Sequence, residues 1–170
     1  GYFIGGYSVS GISGDKTEND HGVVKGDYWV LKLDVGGNII WQNTIGGSNT
    51  DVLCSAIETA DGGYLLGGYS FSGLSVDKTE PVIGGNDYWV IKIDYAGNIE
   101  WQNTIGGTSK DNLYHVIQTA DGGYLLGGYS ESGISGDKTQ SCVGGIFYGD
   151  YWIVKLNGSG FIEWDKTFGG

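Results

Sequence analysis

The sequence predicts an all-β chain assembled from tandem four-stranded antiparallel meanders, and three observations carry that reading. A stretch of 22 residues occurs three times in one register, at Gly26–Gly47, Asn86–Gly107 and Gly149–Gly170, so the chain repeats with a period of about sixty residues. No segment carries a helical apolar period of useful length. Glycine supplies 34 of the 170 residues and comes as doublets at fixed repeat positions, which excludes a collagen-like chain and points to turns and close backbone packing. With 14% aromatic residues the composition is not that of a disordered chain, and the length suffices for one sizeable core.

Taken in order, Gly1–Thr17 recurs at Gly63–Thr79 and Gly123–Thr139. Its first half, as in Gly63–Ser70, reads as a short strand ending in a Gly doublet. Such a pair implies a large side chain or another backbone lying over it, and the tryptophans of a neighbouring sheet are the expected occupants. A polar loop of varying length follows (Thr17–Asp27, Thr79–Asp87, Thr139–Asp150), and tolerance of length places it at the surface. The 22-residue unit is then a hairpin. Asp87–Asp94 is rich in β-branched and aromatic residues, Ala96-Gly97-Asn98 supplies the positive-φ turn, and Ile99–Ile105 returns carrying Trp101.

A further strand precedes the Gly-doublet strand twice, within Ser48–Gly62 and Thr108–Gly122. Alternation there runs through Val52/Cys54/Ala56 and Leu113/His115/Ile117, and Asp61-Gly62 and Asp121-Gly122 predict type I′ turns. The repeats therefore span about 1–47, 48–107 and 108–170 of one repeat domain, with three, four and four strands.

Charge excludes whole classes of partner. Asp and Glu outnumber Lys 20 to 9, Arg is absent, and the net charge is −11, so neither nucleic acid nor insertion at an anionic membrane is expected. No apolar run approaches the roughly 20 residues of a membrane span. Cys54 and Cys142 sit at unmatched repeat positions and read as free thiols. The chain has no Met, so Gly1 is not read as a translation start, and a longer parent chain is expected.

A tandem four-stranded meander is the unit of a β-propeller, and about three blades are expected here; the β-trefoil, also three repeats of four strands, is the competing closed fold. The order of signals resembles kelch-type blades: Asp-Gly, a strand ending in Gly67-Gly68 or Gly127-Gly128, an aromatic strand ending at Ile93-Asp94, a turn, then Trp101. The whole chain more closely resembles the tandem repeats "TADGGYLLGGYS…SGDKTE…DYWVVKLD…GNIxWQNTIGG" of large secreted and surface proteins exported through the bacterial type IX pathway. That resemblance implies extracellular propeller-like modules, often upstream of a sorting domain. It says little about activity.

Candidate sites cluster in the acidic loops. Asp15, Glu18, Asp20 and Asp27 fall close together, as do Asp77, Glu80 and Asp87, and grouped oxygen ligands of this kind hold Ca²⁺. The local reading is a capping box, in which Asp caps a helical turn and Glu reaches back. The third copy, Asp137-Lys138-Thr139-Gln140, keeps a cap and removes a metal-binding charge, which favours the cap. Calcium is thus the one ion in question, and no cofactor is implied. Asp27, Asp87 and Asp150 recur before Tyr-Trp; three equivalent copies read as buried carboxylates accepting loop N–H groups rather than as a catalytic acid.

Lys32, Lys92 and Lys155 read as structural pairs with Asp34 and Asp94 two residues on. The repeat-locked Trp29, Trp89, Trp152, Trp41, Trp101 and Trp164 read as inter-blade core more readily than as a sugar platform. His21 and His115 have no partner at metal or triad spacing, and His115 is the one inner-strand candidate for an enzyme. The expected role is therefore a non-enzymatic extracellular module binding a glycan or surface protein through its loops. A structural spacer array and a polysaccharide-acting enzyme are the alternatives. The absence of a leading strand before Gly1 also predicts a ring completed by more of a parent chain or by further copies.

Overall fold

In the computed structural model, which describes residues 1–22, 25–143 and 149–170, the β-branched and aromatic runs extend into eleven strands. They are β1 (Tyr2–Ser8), β2 (Asp27–Leu33), β3 (Ile39–Ile45), β4 (Asp51–Glu58), β5 (Tyr64–Ser70), β6 (Asp87–Ile93), β7 (Ile99–Ile105), β8 (Asp111–Gln118), β9 (Tyr124–Ser130), β10 (Asp150–Leu156) and β11 (Ile162–Phe168). Residues 23–24 and 144–148, the insertions that the sequence places in surface loops, lie outside the described residues.

Each strand pairs with its neighbour in the chain, giving sheets β1-β2-β3, β4-β5-β6-β7 and β8-β9-β10-β11, all antiparallel. These are three meander blades of a β-propeller segment. None of the sheets closes into a barrel, which removes the β-trefoil. The blades stack face to face: β4 packs on β1 and β2, while β8 packs on β4, β5 and β6. Strands β4 and β8 are thus the inner strands, and β3, β7 and β11 the outer ones.

Two apolar cores lie between blades rather than within them. Tyr28 and Val30 of blade 1 meet Tyr64, Leu66, Trp89, Ile91 and Ile93 of blade 2. Leu65, Tyr88, Val90 and Ile105 of blade 2 meet Leu113, Val116, Leu126, Trp152 and Val154 of blade 3. Alternation along a strand explains the sharing, because successive residues of β5 and β6 face opposite neighbours. Blade 2 is therefore apolar on both faces, and its strand β6 is buried at every position.

Three local expectations are corrected. The alternation read through β4 and β8 breaks, because the register shifts between Leu53 and Ser55 and between Leu113 and His115. Cys54 and Tyr114 are the extra residues of these bulges and stand exposed, so Leu53 shares its core with Ala56, and Leu113 shares its core with Val116. The Asp-Gly turns are not type I′, which needs two positive φ angles: only Gly62 and Gly122 have them, at 85° and 82°. Each closes with Gly62 or Gly122 N–H donating to the Thr59 or Thr119 carbonyl.

The Gly doublet is covered, but not by tryptophan. A Cβ on Gly67 would enter the Leu113 and Val116 side chains, and one on Gly68 would stand 2.6 Å from the Tyr28 hydroxyl. That hydroxyl donates to the Trp89 carbonyl at 3.0 Å, and Tyr88 does the same to Trp152 at 2.9 Å. The second glycine of the doublets in blades 2 and 3, Gly68 and Gly128, thus admits a tyrosine from the preceding blade.

Candidate functional site

The chemistry-bearing residues gather in the loop between the second and third strands of each blade. Ser13 and Lys16 exchange backbone bonds across a tight turn, as do Ser75 and Lys78, and Ser135 and Lys138. No helical turn forms there, so the capping box is corrected in its partner: the Glu accepts from an outer strand. Glu18 Oε2 accepts the Thr44 N–H at 2.5 Å, Glu80 the Thr104 N–H at 2.6 Å, and Gln140 Oε1 the Thr167 N–H at 2.9 Å. An amide oxygen serves as well as a carboxylate, which explains the Gln in the third copy.

The Asp of the same loop reaches back one blade. Asp77 Oδ2 accepts the Gly46 N–H at 3.1 Å, and Asp137 does so from Gly106 at 3.1 Å. The serines assist: Ser75 and Ser72 hydroxyls accept the Ser48 and Asn49 N–H groups, each at 2.9 Å, and Ser135 and Ser132 repeat this on Thr108 and Ser109. The second and third loops therefore clasp both their own outer strand and the linker leaving the previous blade.

Among the described residues the clasp bonds of the first loop go only to its own blade, and its carboxylates disperse. Asp15 is exposed, and its carbonyl accepts Gln42 Nε2 at 2.7 Å. Asp20 pairs with Lys16 Nζ at 2.5 Å, and Asp27 Oδ2 accepts the His21 N–H at 2.6 Å with His21 Nδ1 3.0 Å away. Asp15, Glu18 and Asp20 thus have separate surroundings, whereas His21 Nδ1 stands 3.0 Å from Asp27 and 3.7 Å from Asp77, and Glu80 and Asp87 both lie near the Lys78 ammonium. Among the described residues no group of three or more His, Cys, Asp or Glu side chains is arranged to hold a metal ion.

The aspartates preceding Tyr-Trp are buried and bonded to loop amides. Asp87 Oδ2 accepts from Ile83 and Gly84, and Asp150 Oδ2 from Val143. Asp51 and Asp111, which start the inner strands, accept Gly47 and Gly107 N–H at 2.7 Å. The second oxygen of Asp27, Asp51, Asp87 and Asp111 has no partner among the described residues. Burial pushes the Asp87 carboxyl up to about 6 against the Ile83 and Gly84 N–H groups, and the Asp111 charge adds to the rise.

Because the folded value lies above the ordinary one, the stabilising contribution of Asp87 is complete below about pH 4 and is lost as pH rises through 6. Asp87→Asn keeps an acceptor for the loop. It is expected to be more stable than the native chain by about 1–3 kcal/mol at about pH 7 and level with it at about pH 4. Urea titrations at the two pH values check this; a gain that does not depend on pH would refute it.

The lysines divide into two sets. Lys78 and Lys138 are buried, with Nζ 5.1 Å from the Trp89 ring and 5.2 Å from the Trp152 ring, and each donates to the Thr104 or Thr167 hydroxyl. Burial pulls the Lys78 ammonium down to about 8 despite the charges of Asp51, Glu80 and Asp87. The second set corrects the expected pairing with Asp94. Lys92 meets Asp61 at 3.0 Å and Glu100 at 2.8 Å, and Lys155 meets Asp121 at 3.1 Å and Glu163 at 3.0 Å. Asp94 instead accepts from Ala96 and Asn98 within its own turn. In blade 1, Ile40 stands at the Glu100 position, and Lys32 lies over the Tyr64 ring at 5.0 Å.

The tryptophans are core where a neighbour covers them. Trp89 and Trp152 are fully buried, while Trp29 on the free face of blade 1 is half-buried and Trp164 on blade 3 is exposed. His115 lines a cleft of about 100 Å³ with Ile117, Leu125, Leu126, Gly127 and Ile153, and no carboxylate joins that lining. Both cysteines are unpaired. Sequence reasoning missed the tyrosine anchors Tyr28 and Tyr88, although their fixed place before Trp in every repeat was the available signal. No family model and no curated protein matches the chain.

Proposed function

We propose that the chain is a non-enzymatic, extracellular β-propeller repeat module that binds a partner surface, in adhesion, through the loops at one end of its blades. The observation that carries this reading is a row of aliphatic side chains. Ile12, Leu74 and Ile134 occupy one position in the three clasp loops and are 62%, 66% and 68% exposed. The loops holding them are fixed by the Ser, Asp and Glu bonds described above, so the exposure is built in rather than incidental. One aliphatic group held in water at the same loop position of every repeat supports reading this end as a contact surface.

The opposite end differs in chemistry. Its turns carry Asp34, Asp61, Asp94 and Asp121, with Glu100 and Glu163 beside them. The clasp-loop end is marked by this repeat-locked aliphatic position, and the opposite end combines its turn carboxylates with exposed Val35, Tyr95 and Phe161. The resemblance of its repeats to those of exported surface proteins supports the extracellular placement.

The test is the combined variant Ile12→Ser, Leu74→Ser and Ile134→Ser, compared with the native chain on an array of glycans and matrix proteins. Binding by the native chain that falls tenfold or more in the variant, with an unchanged melting temperature, is the expected result. A native chain that no surface retains would leave the spacer-array reading in its place.

A further inference from the structure

The loop joining β1 to β2 departs from its two counterparts at one pair of positions. Asp20-His21 stands where the second loop has Val82-Ile83 and the third has Cys142-Val143. The backbone work there is unchanged, since the His21, Ile83 and Val143 N–H groups each donate to the aspartate that opens the second strand they precede. The side chain is therefore free for another use. Ile83 lies against the loop of the following blade, 3.2 Å from where a Cβ on Gly136 would stand, an apolar contact indifferent to pH. His21 faces the equivalent place with a ring of the one kind that ordinarily changes charge between about pH 5 and 8. Its Nδ1 is 3.0 Å from Asp27 Oδ2 in its own blade and 3.7 Å from Asp77 Oδ2 in the next.

Asp77 is the residue that clasps the joint between blades 1 and 2. Its N–H donates to the Gly46 carbonyl at 3.2 Å, and its Oδ2 accepts the Gly46 N–H at 3.1 Å. The turn that presents it is strained. The residue before Asp77 is Val76, with a φ of 47°, whereas the other two loops place Gly14 and Gly136 there, at 57° and 55°. A β-branched residue in this left-handed region persists only where its surroundings hold it. The joint between blades 2 and 3 has neither feature: its clasp residue Asp137 follows a glycine, and its counterpart of His21 is Ile83.

We infer that His21 is a pH-dependent latch on this joint: as imidazolium it ties Asp27 to Asp77 and holds the strained loop of blade 2 on the Gly46 linker, and as neutral imidazole it lets that loop open. The imidazolium donates Nδ1–H to Asp27 and attracts both carboxylates, while the neutral ring keeps at most the one hydrogen bond. The stability that the latch contributes is therefore present on the acid side of the imidazole titration and is lost as pH rises through it. Other charges around the ring are engaged elsewhere. Asp20 is paired with Lys16 at 2.5 Å, Lys25 donates to Asn49 at 2.8 Å, and Asp51 accepts from Gly47 and Ser72. Burial raises the Asp27 carboxyl above its ordinary value against the His21 amide and charge, with Asp51 and Asp20 adding to the rise. The latch therefore weakens again at the acid end, where Asp27 takes up its proton.

Hydrogen exchange at the Gly46 amide, followed by NMR in the full chain, tests the inference against His21→Ile, which installs the residue of the second loop. Gly106 makes the same bond to Asp137 that Gly46 makes to Asp77 and serves as the internal reference. Taking the ratio of native to variant protection cancels the intrinsic exchange rate and the titration of Asp87, which both chains share. At Gly46 the ratio is expected to be about fivefold at about pH 6 and to approach unity at about pH 8, and at Gly106 to stay at unity throughout. His21→Gln, uncharged at every pH and still able to donate to Asp27, is expected to give the same ratios and replaces the isoleucine variant should that chain unfold. Val76→Gly relaxes the turn and is expected to raise Gly46 protection at both pH values. A Gly46 ratio that does not change with pH would overturn the latch, as would an equal change at Gly106. Unchanged Gly46 protection in Val76→Gly would overturn the part given to the strained turn.

Discussion

Gly128→Ala is expected to cost about 3 kcal/mol or more of folding stability, while Gly127→Ala, one residue earlier, changes it by less than about 0.5 kcal/mol. A Cβ at Gly128 would stand 2.6 Å from the Tyr88 hydroxyl and closer still to the Asn112 carbonyl oxygen. Neither atom can retreat cheaply. The hydroxyl is tied to the Trp152 carbonyl at 2.9 Å, and Asn112 is paired with Tyr129 beside the bulge in β8. At Gly127 no heavy atom lies within 4 Å of the added methyl. For a chain of this length the first change amounts to a fall of roughly 6–12 °C in Tm. Thermal and urea unfolding of the pair check it, and equal effects at the two positions would refute the tyrosine-into-glycine account of the junction.

The second large effect separates two tryptophans that the repeat makes equivalent. Trp152→Ala is expected to cost about 3–5 kcal/mol and Trp29→Ala less than about 1.5 kcal/mol. Trp152 is fully buried, packs on Tyr88, donates Nε1–H to Asp165 at 3.0 Å and carries Lys138 over its ring. Its removal empties the junction and strands a buried ammonium. Trp29 also donates, to Gln42 at 3.0 Å, but it lies on the uncovered face of blade 1. Measured at concentrations below any self-association, a cost at Trp29 matching that at Trp152 would show that the free face of blade 1 is covered.

How much of this was legible depended on whether a signal repeated. Strand positions, the meander order and the three-four-four division followed from the recurrence of Asp-Tyr-Trp, Gly-Gly and Trp-Gln-Asn, because each copy must satisfy the same backbone pairing. The burial of Asp27, Asp87 and Asp150 was legible for the same reason. Contacts that cross between repeats were not. The sequence places Asp94 two residues from Lys92, yet that lysine turns to Asp61, 31 positions earlier, because sheet pairing brings β5 and β6 together. Glu80 was read against its own loop because Asp-x-x-Glu is a local pattern, whereas the acceptor is spent on Thr104 of the outer strand. The bulges at Cys54 and Tyr114 were invisible since neither is a glycine, and a one-residue shift leaves composition unchanged.

The placement of Glu18, Glu80 and Gln140 against the outer strands bears on how such chains behave when crowded. A strand at the margin of a sheet normally offers a ladder of free amides on which an unrelated strand can template itself, the first step toward amyloid-like growth. Here a side-chain oxygen from the chain's own loop occupies the Thr44, Thr104 and Thr167 amides. Gln42 and Gln102 bind the same loop backbone from the strand side. In every blade the chain's own loop therefore holds one outward amide of the outer strand that a templating strand would need.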